Sequence, residues 1–493
     1  MSLYKEVLES YGRIKPYIDG VFRESESREY IKIFNPAKNE VIAELPISTG
    51  DEVDEAVDSA YEAYLKWRET PIPTRIQILF RMKSVLEKYR DEIARVIVQN
   101  HGKIYDEALG EVRRAIENVE TAIGVAYLLQ KGEYLENVAG GIDEYLVREP
   151  LGVAAIISPF NFPVMVPFWF IPYALAVGDT VVVKPSELTP VPFYWVMKLL
   201  HEEAKIPPGL INVVYGLGDV GDRLVSHKKV FGVAFVGSTK VARYIYKRVG
   251  ELGKRAILQA GAKNYAVVMP DAKIDKTVTN LISSFFGNTG QRCLANSILV
   301  PIGDAYNKVV PKFIELAKNL RLGYGLDSDV DIGPVVSMKA LEKIRRYIDI
   351  GVEEGARLSL DGRNVKVDKY PDGYFIGPTI FEDVTPDMTI AREEIFGPVA
   401  SIIEAESLDQ VIEMMDKSEY GNAASIFTSS GAVARKFRRG VNIGNIGINI
   451  GIAAPMAFFP FGGRKESFFG VVHGQVDSLD FFTDKKIVIE RWW

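Results

Sequence analysis

The chain of 493 residues contains one cysteine, Cys293. A lone thiol excludes an internal disulfide, and by itself it furnishes no structural zinc site, so no metal centre is expected. There is no Lys/Arg-rich run, and the formal net charge is −6. Without a basic stripe, nucleic acid is not an expected partner. Met1-Ser2-Leu3-Tyr4-Lys5-Glu6 lacks the apolar core of a secretory signal. That lack and the absence of disulfides both point to the cytoplasm. Residues 150–178 carry no charge, a stretch long enough to cross a membrane, but Pro159, Pro163, Pro167 and Pro172 divide it. Prolines at that density break helices, and lipid does not tolerate exposed irregular backbone. A buried strand, a turn and a core helix are predicted there, with no membrane contact. No internal repeat or low-complexity segment is visible.

What is present describes an enzyme-sized globular chain. Hydrophobic residues make up 47% and charged residues 25%, enough apolar material for two or three domains. Glutamine and cysteine are sparse while lysine and glutamate are plentiful, a composition expected of a thermophile.

Strand-like and helix-like stretches alternate through the middle third. Apolar runs at 153–157, 180–183, 211–215 and 233–236 are separated by helical patterns near 168–177, 193–204, after Gly218 and at 239–249. This alternation predicts a parallel sheet covered on both faces, of Rossmann type, with ligands beyond the carboxyl ends of its strands. Those ends carry Ser158–Asn161, Lys184–Glu187, Gly216–Gly221 and Gly237-Ser238. A second α/β unit is predicted from helices near 276–286, 306–320, 340–354 and 408–417, with strands at 297–300 and 446–450. Residues 132–147 read as a protruding hairpin, and the apolar β-prone tail from Phe481 to Trp493 reads as an edge needing cover. Both are expected at subunit contacts.

Cys293 sits in Phe286-Gly287-Asn288-Thr289-Gly290-Gln291-Arg292-Cys293-Leu294-Ala295. The glycines and small polar residues form a tight approach to the sulfur, and Arg292 is expected to favour the thiolate. Cys293 is therefore read as a nucleophile rather than a small buried hydrophobe. Gly216-Leu217-Gly218-Asp219-Val220-Gly221 fits a dinucleotide fingerprint, but Gly237-Ser238 stands where the acidic residue about 20 positions on is required. A tight strand-to-helix turn explains those glycines equally well. Lys184 and Glu187 are spaced to reach a ribose, and a carboxylate there repels a 2′-phosphate, favouring NAD over NADP.

Pro159-Phe160-Asn161-Phe162-Pro163, Lys184-Pro185-Ser186-Glu187, Phe235-Val236-Gly237-Ser238-Thr239, Gly290-Gln291-Arg292-Cys293, Glu394-Ile395-Phe396-Gly397-Pro398 and Pro460-Phe461-Gly462-Gly463 occur in this order. Together they resemble the aldehyde dehydrogenase superfamily over essentially the whole chain. Gly261-Ala262-Lys263-Asn264, Val268-Met269-Pro270-Asp271-Ala272, residues 290–295 and Gly110-Glu111-Val112 with Arg114 resemble its methylmalonate-semialdehyde dehydrogenase branch, which acylates coenzyme A.

The resemblance implies a cofactor domain of residues 1–126 and 150–260, a catalytic domain of 261–468, and an oligomerisation element of 127–149 and 469–493 in a homotetramer. It implies attack on a small aldehyde by Cys293, with Asn161 stabilising the oxyanion. Ser158, Phe160, Lys184, Glu187, Gly237, Ser238, Ala260, Glu394 and Phe396 are implied around NAD. Arg114 and Arg292 are candidates to hold the carboxylate of a semialdehyde. Two positions depart from the common pattern. Gln259 replaces the glutamate that activates water, which favours acyl transfer to coenzyme A over hydrolysis. Ala242 replaces a frequent glycine and is expected to alter how closely the cofactor packs. The alternatives are a hydrolytic enzyme releasing a free acid from succinate semialdehyde, glyceraldehyde or its phosphate, and a non-catalytic protein on the same fold.

Overall fold

The computed structural model describes residues 4–470 and 472–493. Residues 1–3, read above for a signal, and Val471, inside the segment 469–493, lie outside the described residues. Two largely parallel sheets organise the chain. The first runs in the order Val21–Phe22, Tyr17–Ile18, Ile211–Val213, Thr180–Lys184, Val153–Ile157, Val230–Val236, Arg255–Gln259, Phe468–Gly470. From Ile211–Val213 to Arg255–Gln259 its strands are parallel. Chain order reverses between Val153–Ile157 and Val230–Val236, so the loops beyond these two strands diverge and open a crevice.

Period-two alternation explains the apolar runs. Val153, Ala155 and Ile157 join the layer that contains Val53, Val57 and Ala242, whereas Ala154 and Ile156 join the layer that contains Tyr173 and Phe193. Both faces are covered. Helix Gly50–Trp67 on the first face starts at a capping box, where Thr49 Oγ1 accepts the Glu52 N–H at 3.2 Å and Glu52 Oε2 accepts the Thr49 N–H at 2.8 Å.

The second sheet runs Arg357–Leu360, Thr379–Glu382, Val399–Ile402, Asn296–Pro301, Asn264–Val268, Ala423–Phe427, Asn445–Ile448, parallel except at its Arg357–Leu360 edge. Only residues 260–263 separate the last parallel strand of the first sheet from Asn264–Val268. Carboxyl ends of the first sheet therefore meet amino ends of the second.

Glu133–Ala139 and Ile142–Pro150 form the predicted hairpin, and the tail strand Thr483–Glu490 completes a three-stranded sheet with it. The tail's partner lies in its own chain, with Thr483 opposite Pro150 and Glu490 opposite Asp143. Phe468–Gly470 instead pairs with Arg255–Gln259, and Phe481 and Phe482 are buried in the main apolar core. Among the described residues, no helix is long and apolar enough to cross a membrane.

Candidate active site

Cys293 follows a turn of unusual conformation. Asn288 and Thr289 have φ of 53° and Gly290 has φ of 71°, three successive residues in the left-handed region. A Cβ at position 290 would lie 2.1 Å from the Gly397 carbonyl oxygen, so only glycine fits. Asn288 Nδ2 donates to the Gln291 carbonyl at 3.0 Å, and Thr289 Oγ1 donates to the Gly333 carbonyl at 2.9 Å. The Cys293 carbonyl accepts from Asn264 Nδ2 and Asn422 Nδ2, each at 2.7 Å. Asn264 begins one strand of the second sheet and Asn422 precedes the next. The backbone of the half-buried cysteine is thereby tied to the sheet.

Two cavities meet at Cys293. The larger, about 830 Å³, is lined by Ser158, Phe160, Asn161, Lys184, Glu187, Gly237, Ser238, Ala260, Glu394 and Phe396 as well as Cys293. Every residue read from the sequence as a cofactor or oxyanion contact stands on this one wall. Leu217, Gly218 and Gly221 of the glycine-rich turn join them. The smaller cavity, about 340 Å³, is lined by Cys293 with Arg114, Arg292, Glu107, Phe162, Trp169 and Phe461.

The larger cavity has the features a dinucleotide requires. Ser158 Oγ is buried there without a hydrogen-bond partner. Helix Thr239–Glu251 begins at Ser238, which makes no side-chain cap, and its first turn carries no acidic residue, so its N–H groups are open to an anion. Lys184 Nζ donates to the Gly216 carbonyl at 2.8 Å and stands 3.6 Å from Glu187. Burial pushes the Lys184 pKa down, opposed by Glu187. Glu394 Oε1 accepts the Ala262 N–H at 2.8 Å, and burial raises the pKa of its carboxyl. Ala242 is not on this wall: it is fully buried beneath the helix, against the sheet. The expectation that it changes cofactor packing is corrected accordingly.

Arg292 acts on the thiol in the expected direction, but other groups outweigh it. Burial, and then the carboxylate of Glu394, push the Cys293 pKa up to about 12. The N–H groups of Cys293 and Leu294 oppose this, and Arg292 acts least. Arg292 is weak because its Nη2 is paired with Glu107 at 2.8 Å. Arg292 therefore favours the thiolate only weakly, against burial and Glu394.

Asn161 Nδ2 donates to the Gln291 carbonyl at 3.0 Å, two residues before the sulfur. Gln259 is buried, and its Nε2 donates to the Phe461 carbonyl at 2.7 Å while its Oε1 has no partner. Arg114 reaches Glu117 at 2.7 Å and Met456 Sδ at 2.8 Å, with about a third of its side chain exposed. Glu107, Asn422, Lys103 and the role of Glu111 escape sequence reasoning, since none carries a local signal. Asn264 lies in a motif quoted above that assigns it no contact. Among the described residues, no group of three or more His, Cys, Asp or Glu is arranged to hold a metal ion.

A cysteine poised between a dinucleotide-sized cleft and a second, arginine-bearing cavity is the arrangement of an aldehyde-oxidising enzyme. Residues 22–488 match the aldehyde dehydrogenase family, and the chain belongs to it. It is 45% identical over 480 residues to malonate-semialdehyde dehydrogenase 1 of Geobacillus kaustophilus (strain HTA426), covering 97% of this chain and 98% of that one. The crystal structure of methylmalonate-semialdehyde dehydrogenase from Oceanimonas doudoroffii superposes with a TM-score of 0.95 at 41% identity, over 98% of this chain and 99% of that one. The NAD complex of a Sinorhizobium meliloti 1021 protein gives a TM-score of 0.96 at 39% identity, over 98% of both chains.

Proposed function

We propose that this aldehyde dehydrogenase oxidises malonate or methylmalonate semialdehyde with NAD and passes the acyl group to coenzyme A. The observation that carries this reading is the meeting of two cavities at Cys293, the smaller holding Arg114 and Arg292. Guanidinium groups suit the carboxylate that such a semialdehyde bears at its far end. The names of the relatives support the substrate class, and the NAD-bound neighbour supports the cofactor.

The Cys293 thiol gives up its proton to solvent, its Sγ bonds to the aldehyde carbon, and the electron pair of the carbonyl double bond moves to the oxygen as an oxyanion. The free N–H of Asn161 Nδ2 and the backbone N–H of Cys293 are the donors offered to it. NAD, when bound, supplies the acceptor for the hydride lost from that carbon. Lys184 and Glu187 serve a ribose, Ser158, Phe160 and Ala260 line the cleft, and Gly237 and Ser238 open the helix start to the pyrophosphate. Glu394 and Phe396 hold the nicotinamide end. Loss of hydride leaves a thioester on Cys293. Gln259 cannot take a proton from water, so the acyl group leaves for the thiol of coenzyme A and Cys293 is restored.

The domain division stated above belongs to the same reading, with residues 127–149 and the tail as the contact of a cytoplasmic homotetramer. Exposed Tyr134, Leu135, Ile487 and Ile489 on the three-stranded sheet, with exposed Trp492 just beyond its tail strand, support a contact there. The test of function is NADH formation with each semialdehyde, with and without coenzyme A, and mass spectrometry of the product. Fast steady turnover to free acid without coenzyme A contradicts the acyl transfer. No NADH from either semialdehyde contradicts the substrate class.

A further inference from the structure

Lys103 and Glu111 pair at 2.7 Å with both side chains fully out of solvent. Burying two charges is costly unless every polar atom is engaged, and an apolar pair of similar size would be as stable or more so. What the pair touches is therefore informative. Glu111 Oε1 accepts the N–H of Val164 at 2.8 Å and of Met165 at 3.2 Å. Lys103 Nζ donates to the Asn161 carbonyl at 2.7 Å and stands 4.1 Å from the centroid of the Phe162 ring. All of these contacts fall on one loop, at Asn161 and the four residues that follow it. From the backbone so held, the Asn161 side chain reaches the Gln291 carbonyl at 3.0 Å. That bond uses one of its two N–H groups and leaves the other open.

We propose that the Lys103–Glu111 pair is a positioning device for the oxyanion donor. It clamps the backbone at Asn161 so that one side-chain N–H stays on Gln291 while the second points to the oxygen of the substrate bound at Cys293. This rests on the assignment of Asn161 as the oxyanion donor. Lys103 and Glu111 touch no reacting atom in this scheme and act through Asn161 alone. Displacements of about 1 Å cost on the order of 100-fold in rate, and loss of one oxyanion donor costs roughly 100- to 1,000-fold.

The test is a kinetic cycle on the full-length enzyme, using the pre-steady-state NADH burst with semialdehyde and no coenzyme A. The double variant Lys103→Met/Glu111→Gln removes both charges and keeps an acceptor for the Val164 and Met165 N–H groups. It is measured alone and combined with Asn161→Ala. The expected result is a burst about 10- to 100-fold slower than wild type, NAD affinity within a few fold, and less than about 2-fold further slowing in the Asn161→Ala background. Should the double variant fail to fold, Glu111→Gln alone enters the same cycle. An unslowed burst, or equal slowing in both backgrounds, overturns the positioning role. If Asn161→Ala alone leaves the burst at the wild-type rate, the oxyanion assignment falls first and the inference with it.

Discussion

Arg292 and Glu107 are joined at 2.8 Å beside the reactive sulfur, with 16% and 15% of their side chains exposed. The pair neutralises the cation that immediately precedes Cys293. With the pKa pushed up to about 12 by burial and Glu394, little thiolate is expected at neutral pH. Only the deprotonated fraction is nucleophilic, and below the pKa that fraction grows about tenfold per pH unit. Alkylation of the free enzyme by iodoacetamide should therefore still be rising at pH 9.5 without a plateau. Glu107→Gln keeps an acceptor for the Asn288 N–H, which it receives at 2.7 Å, but leaves the arginine charge unpaired. It should speed alkylation at pH 8 by about 3- to 10-fold. A plateau below pH 9 in the wild type would show that the thiolate already exists.

Arg114 stands apart from this pair and is freer. Its bond to Glu117 is 2.7 Å long, and 36% of its side chain is exposed. Loss of one partner from a buried ion pair costs about 2–5 kcal/mol, and solvent screening at this exposure reduces the figure to about 1–2 kcal/mol. Arg114→Leu should lower kcat/KM for malonate semialdehyde by roughly 5- to 30-fold and for propanal much less. Equal losses on the two substrates would make Arg114 structural.

The candidate site was legible in the sequence where its residues end strands, and illegible where they pair across the chain. Ser158–Asn161, Lys184 and Gly237-Ser238 follow short apolar runs, so the topology rule alone brings them to one crevice. Glu107 lies 185 positions from Arg292, and Asn422 lies 129 positions from Cys293. No periodicity announces such contacts. Element ends divide in the same way. Leu408–Lys417 matches its predicted span because Ser407 caps it, Oγ accepting the Gln410 N–H at 3.3 Å. The helix read at 193–204 begins at Pro190, a proline suited to a first turn, and ends in a π turn at Leu200–Ala204 that no sequence signal marks. Edge strand Phe468–Gly470 is too short to read without its partner, which explains why the oligomerisation element drawn from 469 overlaps the first sheet.

In the proposed reaction, Glu187 decides between the two dinucleotides. It stands on the cofactor cleft with 37% of its side chain exposed, 3.6 Å from Lys184. A carboxylate there repels the 2′-phosphate of NADP and accepts a hydroxyl of NAD. Wild-type kcat/KM should favour NAD, and Glu187→Gln should narrow the ratio by about 10-fold, the loss of one partly screened charge contact. Preference for NADP in the wild type would refute the pairing of Lys184 and Glu187 with a ribose.

In the proposed reaction, Gln259 sets the fate of the thioester. Its Nε2 is committed to the Phe461 carbonyl at 2.7 Å, and its Oε1 has no partner. An amide in this position orients water at most, because it cannot accept the proton that water must lose on attacking the acyl carbon. Without coenzyme A, the wild type should therefore release NADH in a burst of about one equivalent per Cys293 and then almost stop. Adding coenzyme A should restore steady turnover. Gln259→Glu introduces a base, but it also turns the donor bond to the Phe461 carbonyl into a contact between two acceptors. A carboxylate buried there has its pKa raised, so much of it is protonated near neutrality. The variant should hydrolyse the acyl-enzyme only about 3- to 10-fold faster than wild type at pH 7, and the gain should grow as pH rises and the carboxylate ionises. Stopped-flow NADH traces from pH 6.5 to 9, with free acid and thioester quantified, measure both effects. Rapid steady formation of free acid by the wild type without coenzyme A would mean that another group activates water and that Gln259 does not direct the acyl group to a thiol.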